Sequence, residues 1–133
     1  MIPPQPFTTE TNVRVRYAET DAMGVVHHSN YIVWFESGRS DYARLRGKPY
    51  AEIEKDGYFL LVTEVHVRYA KPAVYDQLVV IRTSVAEMKS RVVVFAYEIR
   101  DQQSGEVLVT GTTKHICVDK QGKVVPIPTA WRA

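Results

Sequence analysis

A short run near the N-terminus, residues 21–31, carries the residue types that acyl-transfer chemistry needs. It reads DAMGVVHHSNY, so a carboxylate, Asp21, is followed by a glycine turn at Gly24 and by the pair His27 and His28. The small polar residues that follow are typical of the cap at a helix N-terminus. Because a helix N-terminus favours negative charge, the run is predicted to hold a base or nucleophile beside a place where an oxyanion can be stabilised.

The elements on either side predict how this run is positioned. Residues 11–18 alternate between apolar and polar side chains, which predicts a half-buried strand that leads into the turn. A helix is predicted from about residue 29 to residue 46, capped by Ser29 or Asn30 and ended by Gly47. Its apolar positions recur at spacings of three and four and form one stripe: Tyr31, Trp34, Phe35, Gly38, Tyr42 and Leu45. The glycine in this stripe predicts that another element packs closely against the helix, with a strand backbone as the candidate.

The rest of the chain is predicted to be mostly strand. After a short helical turn at 50–55, apolar and polar residues alternate over four long segments, at 58–69, 77–88, 91–100 and 106–118. Short connections between consecutive strands predict antiparallel pairing. The predicted fold class is therefore α+β, with one long helix against a five-stranded antiparallel sheet.

The same pattern predicts one domain over residues 1–133, in which 1–10 is a loose lead-in and 122–133 a peripheral tail. One helix cannot cover strands of this length, and an uncovered sheet edge tends to find a partner strand. A homo-oligomer is therefore expected.

Composition excludes several classes of function. The net charge is only +2, with acids and bases mixed along the chain, so no nucleic-acid partner is predicted. The single cysteine, Cys117, rules out an internal disulfide framework and a cysteine-based zinc site. Two adjacent histidines on a turn rarely bind one ion, so no metal is predicted. No apolar run is long enough to insert in a membrane, and a cytoplasmic location is expected.

The run that begins at Asp21 fits the pattern DxxGVVxHxNY, and it resembles the hotdog-fold acyl-CoA thioesterases. The resemblance is strongest to the 4-hydroxybenzoyl-CoA thioesterase-like group, which includes the thioesterase of the Tol-Pal gene cluster. Tyr69, Pro72 and Ala73, with the strand at 107–118, add to the likeness, which covers roughly residues 13–118. It implies a long central helix wrapped by the sheet, edge-to-edge dimers that often pair into tetramers, and active sites at the dimer interface.

The resemblance also implies roles for individual residues. Asp21 would be the catalytic carboxylate, and the backbone amide of His28 would polarise the thioester carbonyl. Substrate contacts are expected from three groups near the turn and two cations at a hairpin tip: Gly24, Val25, Tyr31, Lys89 and Arg91. The expected reaction converts an acyl-CoA and water into a carboxylic acid and coenzyme A, with no cofactor besides the coenzyme A of the substrate.

Several alternatives stay open at this point. Asp21 can attack the carbonyl itself or activate water, and both routes need its carboxylate ionised. Other hotdog proteins act as dehydratases or hydratases, and a catalytically silent module would bind an acyl-CoA or an acyl-carrier protein. The acyl group and the choice between dimer and tetramer are not fixed by the sequence, because this fold keeps the carbonyl in place while the pocket walls vary.

Overall fold

The computed structural model describes residues 7–132, which form one sheet and three helices. In chain order the elements are β1 (Thr8–Arg14), a 3-10 turn (Tyr17–Glu19), α1 (His28–Leu45), α2 (Tyr50–Lys55), β2 (Phe59–Tyr69), β3 (Leu78–Met88), β4 (Val92–Asp101), β5 (Val107–Val118) and α3 (Thr129–Arg132). No helix within this described part of the chain is long and apolar enough to cross a bilayer.

The five strands form a single antiparallel sheet in the order β1-β3-β4-β5-β2. The predicted α+β class, with one long helix and five antiparallel strands, is thus confirmed. Strands β3, β4 and β5 follow one another through short turns and lie side by side, as their short connections require. Strand β2 lies at one edge and β1 at the other.

Helix α1 packs its aromatic stripe on one face of the sheet. Phe35 is fully buried and stacks on Tyr97 of β4, with ring centroids 4.3 Å apart. Gly38 lies directly against β3: a Cβ there would sit 3.0 Å from the Ile81 Cγ2 atom and closer still to Thr83 Oγ1. The close approach predicted at this glycine is therefore present, but side chains of β3 make it and not the strand backbone.

The structure differs from the sequence-based predictions in where β1 begins and in which residues are buried near the end of α1 and in the C-terminal tail. Strand β1 begins at Thr8 and ends at Arg14, so residues 8–10 belong to the sheet and not to a loose lead-in, because they pair with β3. The remainder of the lead-in, 1–6, lies outside the described residues. Leu45, predicted in the buried stripe, is 64% exposed. In the tail predicted as peripheral, Ile127 is buried and its amide donates to Ser90 O at 2.7 Å.

His115 gives the sheet a titratable group in its core. Its ring is buried, and its Nε2 is hydrogen-bonded to Thr113 Oγ1 at 2.8 Å. Burial, followed by the positive charge of Arg39, lowers the pKa of His115 to about 4. The imidazole is therefore neutral in the folded protein at neutral pH.

A loss of stability at moderately acid pH is expected from this histidine. The unfolded chain binds a proton at His115 as pH falls through about 6.5, whereas the folded protein does so only near pH 4. The free energy of unfolding should thus fall between these pH values, by an amount on the order of 3 kcal/mol.

Urea titrations from pH 7 to pH 4 measure this fall. His115→Gln keeps a partner for Thr113 but cannot titrate, so its profile should be flatter than that of the unmodified protein. Equal slopes for His115→Gln and the unmodified protein would refute the assignment.

Candidate active site

The turn that carries Asp21 is fixed by its own hydrogen bonds. The Asp21 amide donates to Val25 O at 2.8 Å, and the Gly24 amide donates back to Asp21 O at 3.0 Å. One carboxylate oxygen, Oδ1, accepts from the Met23 amide at 2.8 Å. Gly24 has φ +80°, a left-handed conformation that glycine adopts without strain. The Asp21 side chain is thus oriented by its turn while it stays exposed to solvent.

Helix α1 begins immediately after this turn. Its cap is His27, whose Nδ1 accepts from the Ser29 amide at 3.2 Å, and not Ser29 or Asn30 as predicted. His28 is the first helical residue, so its amide is one of the donors that a helix leaves without an internal acceptor. Within residues 7–132 no acceptor is bonded to this amide.

Asp21 and the start of α1 face one cleft of about 260 Å³. Its other wall is the loop that follows β2. The residues that line it are Asp21, Val26, His28, Tyr31, Tyr69, Ala70, Lys71 and Pro72. A carboxylate, a helix N-terminus and an aromatic wall therefore share one opening, which is the arrangement that acyl transfer requires.

Two tyrosine hydroxyls form hydrogen bonds between the loop that follows β2 and the first turn of α1. The buried Tyr31 hydroxyl accepts from the Ala73 amide at 3.0 Å, and the Tyr69 hydroxyl donates to His28 O at 3.1 Å. Burial raises the pKa of Tyr31, and the nearby Tyr69 and Asp21 act in the same direction. The Tyr31 hydroxyl therefore stays protonated and neutral beside Asp21.

Tyr31→Phe is expected to destabilise the protein by about 1–3 kcal/mol, because it leaves the Ala73 amide buried without an acceptor. Urea denaturation measures this change. Tyr17→Phe is the matched control, since Tyr17 is 78% exposed and its loss of a hydroxyl should change stability by less than about 0.5 kcal/mol. Identical unfolding curves for the two variants would contradict the structural role of the Tyr31 hydroxyl.

A buried carboxylate lies behind the turn. Glu19 is 4% exposed, its Oε2 accepts from Trp34 Nε1 at 2.8 Å, and its Oε1 accepts from the Arg16 amide at 2.8 Å. Trp34 belongs to the second turn of α1, so Glu19 links the segment before Asp21 to the helix. The sequence pattern alone assigns no role to Glu19, and its signal there is limited to an acid two positions before Asp21 and a tryptophan on the apolar stripe.

The structure brings three of the seven predicted site residues to the cleft: Asp21, His28 and Tyr31. Gly24 and Val25 lie in the turn but do not line the cleft, and Val25 forms a bridge to Val74. Tyr69 and Lys71, which are not among those seven residues, also line it. Lys71 Nζ is paired with Glu106 Oε1 at 3.0 Å, so its charge is partly neutralised at the rim.

Lys89 and Arg91 lie at the other end of the sheet. They occupy the turn between β3 and β4, whereas β3 begins next to the loop of the cleft. At ~3.3 Å per residue, the length of β3 places this turn roughly 30 Å from the cleft. Within one protomer the structure therefore does not bring these two cations to Asp21. Contact between them and a substrate stays a prediction that needs another subunit.

No group of three histidine, cysteine, aspartate or glutamate side chains in the described part of the chain is placed to hold a metal ion.

Comparisons with known proteins point to one family. The profile of the thioesterase-like superfamily matches residues 15–133. A putative acyl-CoA thioesterase, YneP from Bacillus subtilis, is 37% identical over 113 residues, which are 85% of this chain and 81% of that protein. The acyl-CoA thioesterase YbgC from Haemophilus influenzae is 34% identical over 116 residues, 86% of this chain and 83% of that protein.

The fold of this chain is also similar to that of a solved thioesterase structure. The crystal structure of a DHNA-CoA thioesterase from Staphylococcus aureus superposes with a TM-score of 0.84 and is 40% identical in sequence. The match covers 90% of this chain and 79% of that one.

Proposed function

Since the chain belongs to the thioesterase-like superfamily, we propose that it hydrolyses an acyl-CoA to a free carboxylic acid and coenzyme A, with Asp21 as the catalytic carboxylate. The protein is a thioester hydrolase by this membership. The observation that carries the assignment of the site is the shared cleft, in which Asp21 and the first turn of α1 face the same opening.

The oxyanion donor in this proposal is the His28 amide. It lies at the positive end of an 18-residue helix, and no acceptor within residues 7–132 is bonded to it. In the proposed arrangement the thioester oxygen accepts from this amide while the carbonyl carbon faces Asp21. Donors of this kind typically contribute about 10²–10³ in rate.

The leaving group explains why the cleft can work without a strong general acid. The thiol of the leaving group has a pKa of about 8.5, so it can leave as the thiolate without being protonated first. The amine that an amide would release cannot leave in this way. The Met23 amide fixes Oδ1 of Asp21 and leaves Oδ2 for chemistry. Oδ2 then either attacks the carbonyl carbon, forming an anhydride that water opens, or removes a proton from the attacking water.

Thiol release from a panel of aromatic, short-chain and long-chain acyl-CoAs tests the activity, with the same acyl groups on a carrier protein as a second arm. Turnover of at least one thioester is the expected result. Binding of acyl-CoA without turnover would overturn the proposal in favour of a silent binding module. Hydration of an enoyl-CoA without thiol release would overturn it in favour of a hydratase.

The proposed active form is an oligomer in which β2 pairs with β2 of a second copy. Strand β2 is an 11-residue edge strand, and three apolar side chains that point to the helix side of it stay exposed. These are Val62, Val65 and Tyr69, with exposures of 48%, 39% and 47%. Such an edge is covered in most proteins. A second copy there would place further groups beside the cleft, since Tyr69 also lines it.

Val65→Lys is expected to shift the protein from dimer or tetramer to monomer, because it places a charge in the proposed apolar contact. Analytical ultracentrifugation measures the change in mass. Val124→Lys is the matched control, since this valine has similar exposure (46%) and lies after β5, away from the β2 edge. An unchanged mass for Val65→Lys would exclude this edge as the interface.

A further inference from the structure

Glu19 is buried in the 3-10 turn that precedes Asp21. It contacts the segment before that turn, the start of α1 and the second turn of α1. We propose that Glu19 is a positioning residue that holds the Asp21 turn against the start of α1. The inference rests on the proposed function for its effect on rate, but the contacts that carry it are independent of any substrate.

The two carboxylate oxygens of Glu19 accept from donors on different elements. Oε1 takes the Arg16 amide and Oε2 takes Trp34 Nε1, both at 2.8 Å. The Arg16 guanidinium also lies 3.5 Å from Oε1, but its side chain is 75% exposed, so this ion pair contributes little. The carboxylate thus acts mainly as a double acceptor between the segment before the turn and the second turn of the helix.

The backbone of the same residue makes two more links. Glu19 O accepts from the His27 amide and from Asn30 Nδ2, each at 2.9 Å. These donors flank His28, whose amide is the proposed oxyanion donor. One residue therefore sets the position of the helix start and, two residues later in the chain, the position of Asp21.

Only a carboxylate satisfies both donors. The Arg16 amide and the indole of Trp34 can donate but cannot accept, and a carboxylate offers an acceptor oxygen to each. A glutamine of the same shape has one acceptor oxygen, and its NH₂ group would face the other donor. The substitution Glu19→Gln therefore loses one link while it keeps the volume of the side chain.

A displacement of about 1 Å between Asp21 and the helix start is enough to lower the rate by about 10²-fold. Glu19→Gln is therefore expected to lower kcat by about 10–10²-fold and to change KM by less than about threefold, since Glu19 does not line the cleft. Trp34→Phe removes the same link from the helix side and should lower kcat in the same way. Glu54→Gln, at an exposed glutamate of α2, is the matched control and should behave as the unmodified protein.

Amide hydrogen exchange provides a readout that needs no activity. In Glu19→Gln the hydrogen-bonded amides of the turn should exchange about tenfold faster, while those of β3 and β4 keep their protection. These turn amides are those of Asp21, Met23, Gly24, Val26 and His27. Unchanged exchange at these turn amides, or equal loss of protection through the whole sheet, would overturn the positioning role. If the unmodified protein hydrolyses no thioester, the proposed function fails, and exchange alone still decides the role of Glu19.

Discussion

Asp21→Asn is expected to lower kcat for acyl-CoA hydrolysis by about 10³-fold or more, because an amide is neither a nucleophile nor a base at neutral pH. The substitution is nearly isosteric. The Asn Oδ1 can still accept from the Met23 amide, so the turn should keep its shape. The loss of rate should therefore appear in kcat at unchanged stability, measured by thiol release and by urea denaturation of the same samples.

Asp76→Asn is the matched control for this experiment. Asp76 is an exposed aspartate on the loop before β3, it does not line the cleft, and its φ of +68° is one that asparagine tolerates well. Its variant should keep the full kcat. Retention of more than about a tenth of the activity in Asp21→Asn would show that another group supplies the base or nucleophile.

Phe35→Ala should cost about 3–5 kcal/mol of folding free energy, the largest stability effect predicted for this chain. The ring is fully buried, stacks on Tyr97 and lies directly on β5, since a Cβ at Gly111 would sit 2.7 Å from Phe35 Cε2. Contacts on two sides prevent the sheet from collapsing into the space that the ring leaves.

Urea denaturation measures the difference in unfolding free energy for Phe35→Ala. Val33→Ala, two residues earlier on the same helix, is the control, because Val33 is 52% exposed and should lose less than about 1 kcal/mol. A change below about 1.5 kcal/mol at Phe35 would mean that the helix repacks against the sheet.

The fold could be predicted because its elements differ in periodicity. Tyr31, Trp34 and Phe35 recur at helical spacing, whereas the strands alternate with a period of two, and short connections leave only antiparallel pairing. The hotdog fold that the resemblance implied is confirmed by the family match and by the superposition on a thioesterase structure. The start of β1 was missed because Thr8 and Thr9 owe their structure to β3, which lies far away in the sequence.

The site was predicted less completely, because contacts across the fold decide it. The turn, the helix start and Asp21 lie within eleven residues and could be read together. The cap on His27 depends on a ring orientation, and the role of Glu19 depends on burial against Trp34, which neighbouring residues do not reveal. Lys89 was predicted to contact substrate from its place in a hairpin turn. Its distance from the cleft depends on the length and direction of β3, which that prediction did not consider.

The loop after β2 is anchored at both ends to the first turn of α1, by Tyr69 to His28 O and by the Ala73 amide to Tyr31. Between these anchors, Ala70, Lys71 and Pro72 face the cleft and contribute little to the core. Substitution of Ala70 or Lys71 would reshape the cleft while the carboxylate and the helix start keep their places. Under the proposed function, substitutions there are expected to change the acyl preference at little cost in folding free energy.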